Sequence, residues 1–107
     1  KRRFLEIKDK KIYYRFSLDN ILYITRESVE RKVIIKTDKN VHSINSSLTK
    51  ISESLDDRFV QTHRSCYINK DRAVEINYRK KVIIFDNGEV IDLLSTNYKI
   101  EELKYVN

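Results

Sequence analysis

The residues best equipped for chemistry stand together in FVQTHRSCYIN, Phe59 to Asn69. His63, Arg64, Ser65 and Cys66 are framed there by Phe59, Val60, Tyr67 and Ile68. A serine or cysteine near a histidine is the raw material of nucleophilic catalysis, which needs a base held against the nucleophile. Alternate residues of an extended strand share a face, so His63 and Ser65 lie together and Cys66 lies across from them. No third group is evident to orient the imidazole, and no enzyme is expected. The two histidines, His42 and His63, sit in no cluster with metal-ligand spacing, and Cys66 is the sole cysteine. Neither a disulfide nor a cysteine metal site can form within the chain. With one glycine, Gly88, there is no glycine-rich phosphate loop either. No metal and no cofactor are expected.

What remains is donor chemistry. The cations gather where the chain should turn: Arg26, Arg31 and Lys32 around RESVERK, then Arg64, then Lys70 and Arg72, then Lys99 beside Thr96, Asn97 and Tyr98. An arginine fork presents two donors to a guanine edge, and asparagine pairs with adenine. Lysine, serine, threonine and tyrosine suit phosphate oxygens. Each charge taken alone reads as a solvated loop residue. A site requires three separate loops to converge.

The totals agree with a polyanionic partner. Of 107 residues, 22 are Lys or Arg and 16 Asp or Glu, a net charge of +6. That balance favours nucleic acid first and an acidic membrane surface second. The length fits one domain. No apolar run approaches the ~18 residues of a membrane helix, and KRRFLEIKDK has no apolar stretch of the kind a signal peptide carries. A cytoplasmic protein is expected. The absence of an initiator methionine is read as a sign that a longer chain precedes this one.

The elements that must position these groups are mostly strands. Ile12, Tyr14, Phe16 and Leu18 alternate with Tyr13, Arg15 and Ser17, the period-two pattern of a half-buried strand. NILYITRE, KVIIKT, VHSI, VEINY, VIIFD and EVIDLL continue it. Asp38-Lys39-Asn40 should turn tightly, Arg79-Lys80-Lys81 should join two strands, and Asp86-Asn87-Gly88 carries the Asn-Gly hairpin signal. One segment departs from the alternation: Leu48, Ile51 and Leu55 predict a short helix over about 47–55, capped by Ser46 or Ser47. A second short helix is expected from Ser95, with Ile100 and Leu103 facing inward. The sum is a mainly β, antiparallel domain of about ten short strands with one or two short helices.

The stretch LDDRFVQTHRSCYINKDRAVEIN resembles the signature region of the LytTR family, the DNA-binding domains of bacterial response regulators. The matching residues are Leu55, Asp56, Asp57, Phe59, His63, Arg64, Ser65, Tyr67, Ile68 and Asn69. DNILYITRE upstream, and the last hairpins with Leu94-Ser95-Thr96-Asn97-Tyr98 downstream, extend the likeness over essentially all 107 residues. The resemblance implies an elongated β-β-β fold of small antiparallel sheets that inserts loops into successive major grooves and bends the DNA. It implies double-stranded DNA with direct repeats near promoters as partner, and a second copy of the domain on the adjacent repeat. It also implies a preceding receiver domain phosphorylated by a sensor kinase, so that residues 1–107 would be the output domain of a transcription regulator.

Carried over residue by residue, the base-contact candidates are Arg31, Arg64 and Asn97. The backbone-contact candidates are Arg26, Lys32, His63, Ser65, Lys70, Thr96, Tyr98 and Lys99. Relatives often have arginine where this chain has Thr96 and Asn97, which implies a different preferred sequence. Many have arginine at the position of Gln61. His63 either touches the DNA backbone or braces the loop from within. Cys66 reads as a small core residue rather than a redox sensor. Two other readings are an RNA-binding sheet with exposed tyrosines and a protein-interaction module using sheet edges.

Overall fold

A computed structural model describes residues 3–100. Ten strands run in chain order: β1 Phe4–Asp9, β2 Ile12–Ser17, β3 Ile21–Glu27, β4 Lys32–Thr37, β5 Val41–Ile44, β6 Phe59–His63, β7 Cys66–Asn69, β8 Ala73–Asn77, β9 Val82–Phe85 and β10 Val90–Ile91. A single 3-10 turn, Leu18–Asn20, joins β2 to β3, and one helix, α1 Leu48–Ser52, joins β5 to β6. The strands form three antiparallel sheets: β1-β2, a central β5-β4-β3-β7-β6, and β10-β9-β8. The molecule measures 42 × 29 × 23 Å.

The central sheet is apolar on both faces, so each face needs a cover. On one side Ile21, Ile24, Val33, Ile35 and Ile44 meet Leu5, Ile7 and Phe16 of the two-stranded sheet and Leu48 and Ile51 of α1. On the other, Leu22, Cys66 and Ile68 meet Ala73, Ile83, Phe85 and Leu94. A bulge between Ile21 and Tyr23 permits this in β3. It breaks the alternation, so Ile21 and Ile24 serve the first core while Leu22 serves the second. The expected alternation of β2 places Phe16 and Leu18 inside, but Ile12 lies past the end of the core and is exposed.

Helix α1 is shorter than the sequence suggests. Ser47 caps it by accepting the Lys50 amide at 3.1 Å. After Ser52 the chain winds to Leu55 in tighter turns, with Ser54 N–H donating to Ile51 O and Leu55 N–H to Ser52 O. The Ser52 hydroxyl donates to Thr49 O at 2.7 Å and competes for the carbonyl that the Glu53 amide reaches only at 3.4 Å. The second expected helix is not present in the part that falls within the described residues. Ser95 accepts the Asn97 amide on its hydroxyl and the Tyr98 amide on its carbonyl, which makes a turn over 95–98. Ile100 does pack on the second core, and Leu103 lies outside the described residues. The Asn-Gly hairpin also differs. Asp86, Asn87 and Gly88 form a three-residue loop, Gly88 N–H donates to Phe85 O, and of these only Gly88 has positive φ, at 90°.

Polar contacts knit the far end of the sheet, where β4 ends and β6 begins. Asn69, fully buried, donates from Nδ2 to Leu18 O and Ile21 O. Arg58 is buried against Asp56 at 3.0 Å and Asp19 at 2.6 Å. Arg72 forks between Asp38 and Asp86, at 2.6 and 2.8 Å, and donates to Asp19 O.

Candidate nucleic-acid interface

The register of the central sheet decides which loops are neighbours. Glu27 pairs with Lys32, Thr25 with Cys66, and His63 with Cys66. The β3–β4 loop and the β6–β7 turn therefore leave the same end of the sheet, opposite to Asn69 and Arg72. Sequence spacing cannot reveal this, because β7 reaches its place beside β3 only after β4, β5, α1 and β6.

Direct bonds fasten these loops together. Ser65 O accepts the Arg26 amide at 2.8 Å and the Thr25 hydroxyl at 2.9 Å. That ties the β6–β7 turn to the root of the β3–β4 loop. On the other side, Thr62 is fully buried; its hydroxyl donates to Leu93 O and its carbonyl accepts the Ser95 amide, each at 2.8 Å. That fixes the start of the 95–98 turn against β6 and covers an otherwise open sheet edge. Three loops, carrying Arg31, Arg64 and Asn97, are thus mounted side by side. All three of those residues are exposed.

The β6–β7 turn is the tightest of the three. His63 Nδ1 accepts the Ser65 amide at 3.1 Å and lies 2.8 Å from the Ser65 hydroxyl. An N–H aimed at Nδ1 requires a lone pair there, so the neutral ring carries its proton on Nε2. The Ser65 hydroxyl then donates to Nδ1 and has no proton left for a phosphate. His63 is a brace through Nδ1 and still presents an Nε2–H donor. Gln61 Nε2 adds a bond to Arg64 O at 3.4 Å. Arg64 projects from this frame with no ion pair among the described residues.

The β3–β4 loop is built differently. The Glu27 carboxylate accepts the Val29 and Glu30 amides at 2.8 and 2.9 Å. Arg31 closes the loop at φ 57°, the left-handed region uncommon outside glycine and asparagine. Lys32 reaches Glu30 at only 3.9 Å. Arg26 and Arg31 line a cleft of about 410 Å³ with Ser28, Ser46, Ser47, Leu48 and Thr49. Lys70 is not brought to this end: it follows Asn69 at the far end of β7, its amide on Arg58 O. Arg72, grouped with the basic loop residues by sequence, is a structural cation among carboxylates. Cys66 has no exposure, and burial pushes its thiol up to about 12, which suits a core residue and not a thiolate. His42 stacks edge-on against Phe16 at 5.0 Å, away from the loops.

Comparison with known proteins decides the family. The LytTr DNA-binding domain model matches residues 11–105. The chain belongs to the LytTr DNA-binding domain family. A Bacillus cereus structure named as the LytTr DNA-binding domain of a response regulator superposes with a TM-score of 0.68. It shares 16% identity, with 88% of each chain covered, a likeness of fold. No curated protein matches. As a LytTr domain the chain is a DNA-binding module of transcription regulation, and its mostly β, three-sheet architecture is the LytTr fold. No helix among the described residues is long and apolar enough to cross a membrane.

Sequence reasoning found the signature residues but not the mounts. Thr25 and Thr62 position the LytTr loops through bonds spanning 40 and 31 residues, and Asn69 ties the opposite end of the sheet through a bond spanning 51. A polar residue inside an apolar strand, as Thr62 and Asn69 are, is the signal that could have marked them.

Proposed function

We propose that this LytTr domain reads double-stranded DNA with the loop end of its central sheet. Arg64, Arg31 and Asn97 contact bases, and Arg26, Lys32, Thr96, Tyr98, Lys99 and the Nε2–H of His63 contact the backbone. The observation that carries the reading is the side-by-side mounting of the three loops through Ser65 O and Thr62. Loops whose roots are tied to the sheet meet a duplex with less ordering cost than free ones. Adjacent loops at one end of a sheet suit successive grooves, and a duplex that follows all three would have to bend. The sites are pairs of direct repeats near promoters, each occupied by one copy. The domain serves as the output of a response regulator whose receiver is phosphorylated by a sensor kinase. Ser65 acts inside the protein, and Lys70 lies away from the DNA.

The test is selection of random duplexes by the purified domain, followed by anisotropy titration of the winner at several salt concentrations. The expected result is a recovered direct repeat bound far more tightly than scrambled duplex. Weak, steeply salt-dependent and sequence-blind binding would refute the assignment, since basic charge alone gives that behaviour.

A further inference from the structure

One basic turn stands outside this assignment. The loop between β8 and β9 carries Arg79, Lys80 and Lys81 in succession, all exposed and with no ion pair among the described residues. Most exposed basic turns are solvated and nothing more. Two features set this one apart.

The first is its construction, which repeats that of the β3–β4 loop. Each loop has four residues, 28–31 and 78–81, between paired flanks: Glu27 with Lys32 and Asn77 with Val82. In each, the side chain of the leading flank accepts amides within the loop. Glu27 does so for Val29 and Glu30, and Asn77 Oδ1 for Lys80 at 2.9 Å. Each ends on a cation at φ 57°, Arg31 and Lys81.

The second is its mount. Tyr78, at the base of the loop, packs on the second core. Its hydroxyl donates to Tyr98 O at 3.1 Å and accepts the Ile100 amide at 2.9 Å. Both capacities of the hydroxyl are used on the backbone of the segment that carries Asn97. The loop is therefore fastened to 95–100 just as 95–100 is fastened to β6 through Thr62.

We propose that Arg79, Lys80 and Lys81 make a fourth DNA contact, gripping phosphates that flank the base pairs faced by Asn97. This rests on the DNA reading above. The contact is assigned to the backbone because two of the three cations are lysines, whose point-charge ammonium suits phosphate oxygens, and because the Asn77 side chain is spent inside the loop. A duplex that meets the 95–98 turn is brought within reach of the adjoining loop, whatever its sequence.

The experiment compares the parent with Arg79→Ala/Lys80→Ala/Lys81→Asn, in which asparagine tolerates the left-handed backbone. Both are titrated with the selected duplex and with scrambled duplex over a salt series. The expected result is a loss of about ten-fold or more on both duplexes alike. The slope of log affinity against log salt should fall by about two to three, close to 0.9 per phosphate contact. Repeated selection should return the same sequence. Parental affinity and slope would overturn the proposal, and so would a changed base preference. Thermal melting checks that the variant folds. If it does not, Arg79→Gln/Lys80→Gln repeats the comparison with a smaller charge change. Removing flanking base pairs one at a time gives a second readout. The parent should lose affinity when the gripped phosphates go, and the variant should not; equal losses would overturn the contact. Arg64→Ala in the same series separates the two readings. If the parent prefers the selected duplex by a margin that depends on Arg64, the DNA reading stands whatever the 79–81 loop does. If the parent has no preference, both fall.

Discussion

Arg64 and Arg31 occupy neighbouring loops at one end of the same sheet, but the two loops are held in different ways. The β6–β7 turn has two residues between its paired flanks, and bonds enter it from β3, His63 and Gln61. The β3–β4 loop has four residues and is organised mainly by one half-buried side chain, the Glu27 carboxylate. Freezing a loop and its side chains on binding costs free energy that a preorganised turn has already given up in folding. Arg64 should therefore turn more of its contact energy into affinity. Arg31 sits on a loop that can adapt to the groove at some cost.

The sharpest way to break this comparison is Arg64→Ala. One bidentate base contact contributes on the order of 1–3 kcal/mol of discrimination, and Arg64 should lie toward the upper end, with a loss approaching a hundred-fold on the selected duplex. A parental Kd in anisotropy would remove Arg64 from the interface. Arg31→Ala should cost about ten-fold, and the readout is complicated by placing alanine at positive φ, where a β-carbon is strained. Arg31→Gly relieves that strain while removing the same guanidinium. If the glycine variant binds like the parent, the loss in the alanine variant was conformational and Arg31 makes no base contact. Lys32→Ala should weaken selected and scrambled duplexes by a similar few-fold factor, as expected for one phosphate contact. A shift in base preference on repeated selection would refute that role.

Glu27→Gln sharpens the comparison with a smaller effect. It weakens the acceptor that orders the β3–β4 loop without touching the β6–β7 turn, and should lower affinity by about two- to five-fold, since a hydrogen bond to a charged group contributes roughly 1.5–3 kcal/mol and glutamine keeps part of it. The melting temperature should barely move. A large fall in it would show that the loop supports the fold. Least of all should binding-end chemistry respond to Asp38. The hydrogen bond from Arg72 holds its carboxyl below the usual carboxylate range. A carboxyl whose pKa is lower folded than unfolded stabilises the fold above its unfolded value, near 4. That contribution is lost as pH falls through the folded value. Asp38→Asn should therefore lower the melting temperature slightly at pH 7 and less at pH 3, which a melting series reads directly. An equal effect at both pH values would contradict the linkage.

The signs by which the sequence announces its fold are local. Alternation marks most strands, Ser47 caps α1, and Asp38-Lys39-Asn40 turns the chain, with Asn40 O accepting the Thr37 amide at 2.9 Å. The buried Cys66 follows from its place among Phe59, Tyr67 and Ile68. What depends on distant pairing stays hidden. An arginine looks the same in sequence whether it ends in solvent or in a carboxylate fork. Arg64 stands free of ion pairs among the described residues, whereas the carboxylates of Arg72 come from residues 34 and 14 positions away. The strand order that puts β7 between β3 and β6 is equally non-local. Ser95 and the spacing of Ile100 and Leu103 suggest a helix start, and the Ser95 hydroxyl does accept the Asn97 amide as a cap would. Within the described residues, however, Tyr98 O and the Ile100 amide bond the Tyr78 hydroxyl instead of closing a helical turn.

The carboxylate network at the far end has a kinetic consequence. Arg58 and Arg72 stand there among four carboxylates, Asp19, Asp38, Asp56 and Asp86. At the other end Arg26, Arg31, Arg64 and the 79–81 loop form no ion pair among the described residues. Cations left without such forks draw a duplex toward the end that bears them, so a larger share of encounters begin in a productive orientation. The gain belongs to the association rate and fades as ionic strength rises, while the dissociation rate is left to the contacts themselves.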